Sequence, residues 1–311
     1  MKILFMGTPD FAVGCFRALC ENGFDVVAAV SQPDRPKGRG HKLQKTPVHE
    51  YADERGIEIY QMQSIKNGEL MEVLESKKPD VIVVVAFGQI LPEYVLNFPK
   101  YGCINVHASL LPKYRGAAPI QRCIIDGEKV TGVTTMYMEK GLDTGDMILK
   151  KQIDIDDEET SATLHDKLME LGAQAIVETL NMVKDGNVKA QKQNDEESSY
   201  AAMITKQTAL IDWNKSAAGI VNLVRAMIPY PYAYTYLGEK VLKIGKAAIG
   251  TAKKQGKCGS VIVAGRDEIV VSCGDGSVSI KSVQLEGKKM MDVCDFLSGH
   301  AIDEGMVFGK E

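Results

Sequence analysis

The chain has 311 residues, 45% hydrophobic and 25% charged, with a formal net charge of −4. That length holds a full α/β domain of about 200 residues plus a smaller one, and the composition is that of an ordinary soluble globular protein. The acidic balance argues against a general nucleic-acid binder, and no apolar run approaches the ~20 residues that cross a bilayer.

The opening residues, Met1 to Gly7, form a short apolar run ended by Gly-Thr-Pro-Asp, which reads as a first strand and not as a signal peptide. A cytoplasmic protein without membrane attachment is therefore expected. Phe11, Cys15, Ala18 and Leu19 recur at helical spacing, so a helix is expected over 11–22 with Asp10 as its N-cap. Gly7-Thr8-Pro9-Asp10 is not Gly-x-Gly-x-x-Gly, and a dinucleotide site is rejected in favour of a tight turn. A strand over 26–30 follows, then a helix that starts at Thr46-Pro47 and runs to about Arg55. Next come a strand over 57–60, a helix over 69–76, and strands over 81–87 and 104–107. A helix over 118–125 and strands over 131–138 and 147–155 complete the series. Strand alternating with helix implies a mostly parallel, doubly wound, Rossmann-like sheet covered on both faces. Leu164, Leu168, Leu171, Ala175, Ile176 and Leu180 then share one stripe of a long helix over 163–183, ended by Gly186.

Residues 187–206 are polar, with little to bury, and read as a linker between domains 1–186 and 207–311. Beyond it a helix is expected over 216–227. Short strands are expected over 232–237, 241–244, 260–264, 268–272 and 278–283, and a terminal helix over 291–297. So many short strands, with a hairpin signal at Gly274-Asp275-Gly276, suggest a small OB-like β-barrel. Residues 207–311 hold 13 Lys and Arg against 11 Asp and Glu; the remainder holds 24 against 30. Acidity thus belongs to the larger domain.

Seven cysteines, an odd number without Cys-x-x-Cys, suggest neither a disulfide framework nor a zinc site, and several sit in apolar patterns and read as small buried side chains. The five histidines contain no His-x-x-x-His pair, so no metal is expected.

Chemistry concentrates at Asn105-Val106-His107. On a strand, Asn105 and His107 project from one face. They stand at a carboxyl end, where open α/β sheets bind ligands. Asp143, on the turn Gly141-Leu142-Asp143-Thr144-Gly145-Asp146, is placed to meet the imidazole. Amide, imidazole and carboxylate together suit a reaction in which a carbonyl oxygen becomes an oxyanion: the first two donate to it and the third orients the ring. Alone, an Asn or His at a strand end is more often a satisfied structural residue.

Two basic stretches stand out. Residues 31–45 carry five Lys and Arg, one acid, two Pro and two Gly, and read as a mobile loop on the same rim. Lys240, Lys243, Lys246, Lys253, Lys254 and Lys257 form a second cluster, with no acid between Lys240 and Lys257. Either stretch is a solvated surface or a phosphate-binding face.

The run N-V-H-A-S-L-L-P-K-Y-R-G with G-L-D-T-G-D downstream resembles the folate-dependent formyltransferases, and the likeness extends over essentially the whole chain. It implies that Asn105, His107 and Asp143 are the catalytic trio and that 10-formyltetrahydrofolate is the formyl donor. It also implies that the pterin sits along Phe87 to Leu91, with Ser109, Leu110, Leu111 and Pro112 as another wall. For Leu110 and Leu111, plain core packing is the competing account. The loop S-Q-P-D-R-P-K-G-R-G resembles the one peculiar to family members that act on initiator methionyl-tRNA, which implies tRNA contacts at Arg39 and Lys42. One departure is Tyr230, where many members of that family have tryptophan. A sugar-nucleotide N-formyltransferase, a formyltetrahydrofolate hydrolase and a non-catalytic RNA-binding protein remain the rival readings, and a monomer is expected.

Overall fold

Val81 to Val85 is apolar at every position because both faces of its strand are covered. The structure, a computed structural model, describes residues 1–37 and 42–309, without the side chains of Lys37 and Lys42. The chain forms two compact units, one of Met1–Pro119, Val130–Asp154 and His165–Ala201, the other of Ile120–Lys129, Ile155–Leu164 and Ala202–Glu311.

The first unit opens with β1 (Lys2–Gly7), α1 (Asp10–Glu21) and β2 (Asp25–Ser31). Asp10 is the first helical residue of α1 and Pro9 takes the capping position, so the expected Asp10 cap is displaced by one residue. β3 (Arg35–Lys37) and β4 (Lys42–Gln44) pair antiparallel. The segment expected to be a mobile loop is thus a hairpin at its root, and residues 38–41 between the strands lie outside the described residues. α2 (Pro47–Arg55) follows, with the Thr46 hydroxyl accepting from His49 N–H at its start and Gly56 in the left-handed region at its end. Then come β5 (Ile59–Gln61), α3 (Met71–Lys77), β6 (Val81–Val85), the four-residue α4 (Glu93–Leu96) and β7 (Cys103–His107). After β8 (Arg115–Gly116) and α5 (Pro119–Ile125) come β9 (Val130–Tyr137), β10 (Met147–Asp154), α6 (Ser161–Lys184) and β11 (Tyr200–Ala201).

The central sheet has the order β10-β9-β7-β6-β1-β2-β5. β7, β6, β1, β2 and β5 are parallel, while β9 runs antiparallel to both β7 and β10. The expected mostly parallel sheet is observed. Chain order reverses direction across the sheet between β1 and β6, which marks their carboxyl ends as the binding crevice. Leu4, Met6, Ile82, Val84 and Cys103 face one core with Leu70, Val73, Leu74 and Val95. On the opposite side Phe5 stacks on Phe16 of α1, ring centroids 4.6 Å apart, and Phe16 meets Tyr51 of α2 edge-on. Cys15, Cys103, Cys123 and Cys273 are buried, as their apolar neighbours suggested, and burial pushes the Cys15 and Cys103 thiols up to about 12.

In the second unit, α7 (Ala217–Ala226) starts at Ser216, whose hydroxyl accepts from Gly219 N–H. Arg225 near its end donates to the carbonyls of Asp156 and Glu159, which ties residues 155–164 into this unit. β12 (Ala233–Leu237), β13 (Lys240–Ile249), β14 (Val261–Ala264), β15 (Ile269–Ser272) and β16 (Ser277–Leu285) pair antiparallel in the order β12-β13-β16-β15-β14. β17 (Met291–Asp292), just before α8 (Val293–Leu297), adds to β16. The region expected to be an OB-like barrel forms this antiparallel sheet, and among the described residues its pairing path is open between β12 and β14. Tyr230 is 74% exposed, so it has no packing role there.

Residues 187–201 are not a free tether. Gln191 bridges Met147, and β11 pairs parallel with β8. Their polar side chains bond to loop backbone instead of burying apolar surface, which hydrophobic periodicity does not register. Among the described residues, no helix is long and apolar enough to cross a membrane.

Candidate active site

Strand alternation sets the first two site residues. Ile104 and Val106 turn to the α6 side of the sheet, where Val106 lies close to Gly172. Asn105 and His107 therefore lie on the face of Cys103, at the carboxyl end of β7. Both are nearly buried, at 8% and 6% exposure. Among the described residues the Asn105 carboxamide has no hydrogen-bond partner, so its donors are left for a ligand.

The ring of His107 is held at one nitrogen. Nε2–H donates to the Tyr114 carbonyl at 2.9 Å, which fixes that nitrogen as a donor and turns Nδ1 toward Asp143. Nδ1 stands 3.7 Å from Asp143 Oδ2, and both side chains are largely buried, at 7% and 13% exposure. Asp143 Oδ2 also accepts from Gly116 N–H at 2.9 Å. The expected meeting of carboxylate and imidazole is thus observed: β7 pairs with β9 and the Asp143 turn follows β9, which brings together side chains 36 positions apart in sequence.

The Asp143 turn is tightly determined. Asp143 has φ +54°, in the left-handed region that few non-glycine residues occupy. Gly145 passes so close to Tyr137 that an added Cβ would fall 1.8 Å from its carbonyl oxygen. Gln193 donates to the carbonyls of Asp143 and Gly145, each at 2.8 Å. Its own oxygen accepts from Arg115 Nε at 2.9 Å, and Arg115 reaches Asp195 at 2.8 Å. Ser199 accepts from the backbone N–H groups of both Tyr114 and Arg115. Arg115 stands in the quoted run from Asn105 to Gly116, but neither Gln193 nor Ser199 was singled out by sequence. Their segment reads only as polar, and nothing in its spacing marks it as part of a site.

Ser109 to Pro112 form a closed turn beside the trio. Ser109 Oγ donates to the Lys113 carbonyl at 2.6 Å. Thr134 of β9 donates to the Ser109 carbonyl at 2.7 Å and accepts from Leu111 N–H at 3.1 Å. Leu111 is fully buried against Met136 and Met147, which is the core-packing account of that residue; Leu110 keeps partial exposure. Across the rim, Phe87 is buried and Ile90 is 70% exposed. Thr8 and the Gln32 side chain both donate to the Phe87 carbonyl, tying together the loops after β1, β2 and β6.

The basic hairpin is rooted by Asp34. Its carboxylate accepts from Thr46 N–H at 3.0 Å, Gln61 Nε2 at 2.7 Å and His49 Nδ1 at 3.0 Å. Burial works against its charge, but the hydrogen bonds from His49, Gln61 and Thr46 outweigh it and hold the carboxyl below its ordinary value. Arg39 lies outside the described residues, and only the backbone of Lys42 is described. In the second lysine stretch, Lys243 lies over the Tyr232 ring, Lys246 is 3.7 Å from Glu158 and Lys254 donates to the Gly274 carbonyl.

A family model described as formyl transferase matches residues 1–180, and one described as formyl transferase, C-terminal domain, matches residues 203–301. A methionyl-tRNA formyltransferase from Alkaliphilus metalliredigens is 53% identical over 312 residues, covering 100% of this chain and 99% of that protein. An N-formyltransferase from Helicobacter canadensis, solved with folinic acid and dTDP-3-aminofucose, superposes with a TM-score of 0.67 at 21% identity, covering 90% of this chain and 98% of the other. HypX from Aquifex aeolicus, solved with tetrahydrofolic acid, superposes with a TM-score of 0.62 at 19% identity; the match covers 96% of this chain and 47% of HypX. At those identities the two structures speak to fold alone.

Proposed function

Since this chain belongs to the formyl transferase family, we propose that it moves the formyl group of 10-formyltetrahydrofolate to the α-amine of initiator methionyl-tRNA, giving N-formylmethionyl-tRNA. The full-length likeness to a methionyl-tRNA formyltransferase supports the acceptor. The observation that carries the chemistry is an Asn105 amide without a hydrogen-bond partner among the described residues, on the same strand face as His107, whose Nδ1 edge faces the Asp143 carboxylate.

As the amine adds to the formyl carbon, the carbonyl oxygen gains negative charge. Asn105 Nδ2–H donates to that oxygen, and a proton on His107 Nδ1 provides a second donor. Asp143 holds that ring edge and accepts the proton the amine must lose, directly or through a water. The Tyr114 carbonyl keeps the ring from turning. As the carbonyl re-forms, the C–N bond to the folate nitrogen breaks and that nitrogen leaves carrying the proton taken from the amine; no covalent bond to the protein is required. Holding both substrates in line supplies much of the remaining acceleration. The folate lies along Phe87 to Leu91 and against the turn from Ser109 to Pro112, with Leu111 supporting that turn from the core. Arg39 and Lys42, in the basic stretch that follows Asp34, contact tRNA phosphates. The protein works as a monomer in the cytoplasm.

Formylation of methionyl-tRNA by 10-formyltetrahydrofolate, run beside an aminosugar nucleotide as alternative acceptor, tests the proposal. Product on the tRNA alone is expected; product on the sugar alone, or formate released without acceptor, would overturn it. Arg39→Ala is expected to weaken tRNA use while folate binding stays intact. Equal loss of both would contradict a tRNA role for that residue.

A further inference from the structure

We propose that Gln193 is a positioning residue for the reaction: its side-chain amide clamps the turn that carries Asp143, so the polar segment after α6 helps set the rate at the β7 site. The role holds only if Asp143 serves the reaction as inferred above.

The clamp uses every polar atom of one side chain. Both N–H bonds of Nε2 are spent on carbonyls two residues apart, those of Asp143 and Gly145, each at 2.8 Å. Oε1 accepts from Arg115 Nε at 2.9 Å, and the same guanidinium, whose side chain is 12% exposed, reaches Asp195 at 2.8 Å. Residue 116, next to that arginine, donates its N–H to the Asp143 carboxylate. Asp143 is therefore gripped at its carbonyl by Gln193 and at its carboxylate by Gly116, and Arg115 joins the two grips. Gly116 has φ +115°, and an added Cβ there would fall 2.7 Å from the Tyr200 ring, so β8 and β11 lie in close contact. A left-handed aspartate persists only where its surroundings hold it. Gln193 supplies the bonds at the backbone atoms that define that conformation.

Two substitutions separate a clamp from a merely structural contact. Gln193→Ala removes all the bonds. Gln193→Glu keeps, and strengthens, the contact with Arg115 but sets an oxygen against two carbonyl oxygens. Turnover at saturating methionyl-tRNA and 10-formyltetrahydrofolate is measured per folinic-acid-binding site, so that only folded protein is counted. Both variants are expected to lose about ten- to a hundredfold in turnover, with folinic acid affinity unchanged within about twofold. Repeated in an Asp143→Asn background, the same changes are expected to cost little further, because residues acting as a unit are non-additive. Full turnover of Gln193→Glu, or equal losses in both backgrounds, would overturn the clamp while leaving the trio in place. Near-normal turnover of Asp143→Asn alone would overturn the reading of the trio and the clamp with it.

Discussion

Asn105→Ala and His107→Ala are each expected to lower formyl-transfer turnover about a hundredfold or more, the usual cost of losing one donor to a developing oxyanion, or ~2.7–4 kcal/mol of barrier. The two are not equivalent in the folded protein. Among the described residues the Asn105 amide bonds to nothing, so its removal breaks no protein hydrogen bond and leaves stability nearly untouched. His107 also donates to the Tyr114 carbonyl, and truncation removes that hydrogen bond at a cost of about 0.5–1.5 kcal/mol. Asn105→Ala is thus the cleaner test. Single-turnover formylation of methionyl-tRNA, alongside a thermal melt, measures both effects. Near-normal turnover in both variants would remove the trio from the mechanism.

Phe5→Ala is expected to be the most destabilising of these substitutions. Phe5 is fully buried in β1, beside Ala29 of β2 and Val83 of β6, and stacks on Phe16. Truncation removes that ring contact and leaves a cavity that the paired strands on either side cannot close. Such losses run to about 3–5 kcal/mol, a large part of the ~5–15 kcal/mol that separates folded from unfolded states. The urea midpoint followed by far-ultraviolet circular dichroism reads the effect. A midpoint equal to that of the parent protein would contradict the placement of Phe5 at the centre of the sheet.

The elements most legible in the sequence are those whose apolar pattern reports burial on fixed faces. The unbroken run Val81 to Val85 and the stripe from Leu164 to Leu180 announce a doubly covered strand and a long one-sided helix, and both are present. The same logic put Asn105 and His107 on one face, because strand alternation is a property of the backbone alone. Elements built from polar bonds were not legible. The β3–β4 pair lies in a stretch of prolines, glycines and charges that buries little, and its root is fixed by Asp34 accepting from Thr46, His49 and Gln61. The strand Tyr200–Ala201 and the contacts of Gln193 and Ser199 lie in what reads as a tether.

The sequence by itself determined the order of the main apolar strands and helices, the two candidate side chains on β7 and, through the resemblance of N-V-H-A-S-L-L-P, the chemistry to look for. Only the tertiary structure decided which nitrogen of His107 faces the carboxylate, since that follows from the Tyr114 carbonyl folding back onto Nε2. It alone showed that Leu111 supports its turn from within the core, and that the Asp143 turn is held by residues some fifty positions later in the chain. The physical reason is one of range. Periodicity records where apolar surface goes, whereas a hydrogen bond between distant segments leaves no pattern until the chain has brought its donor and acceptor together.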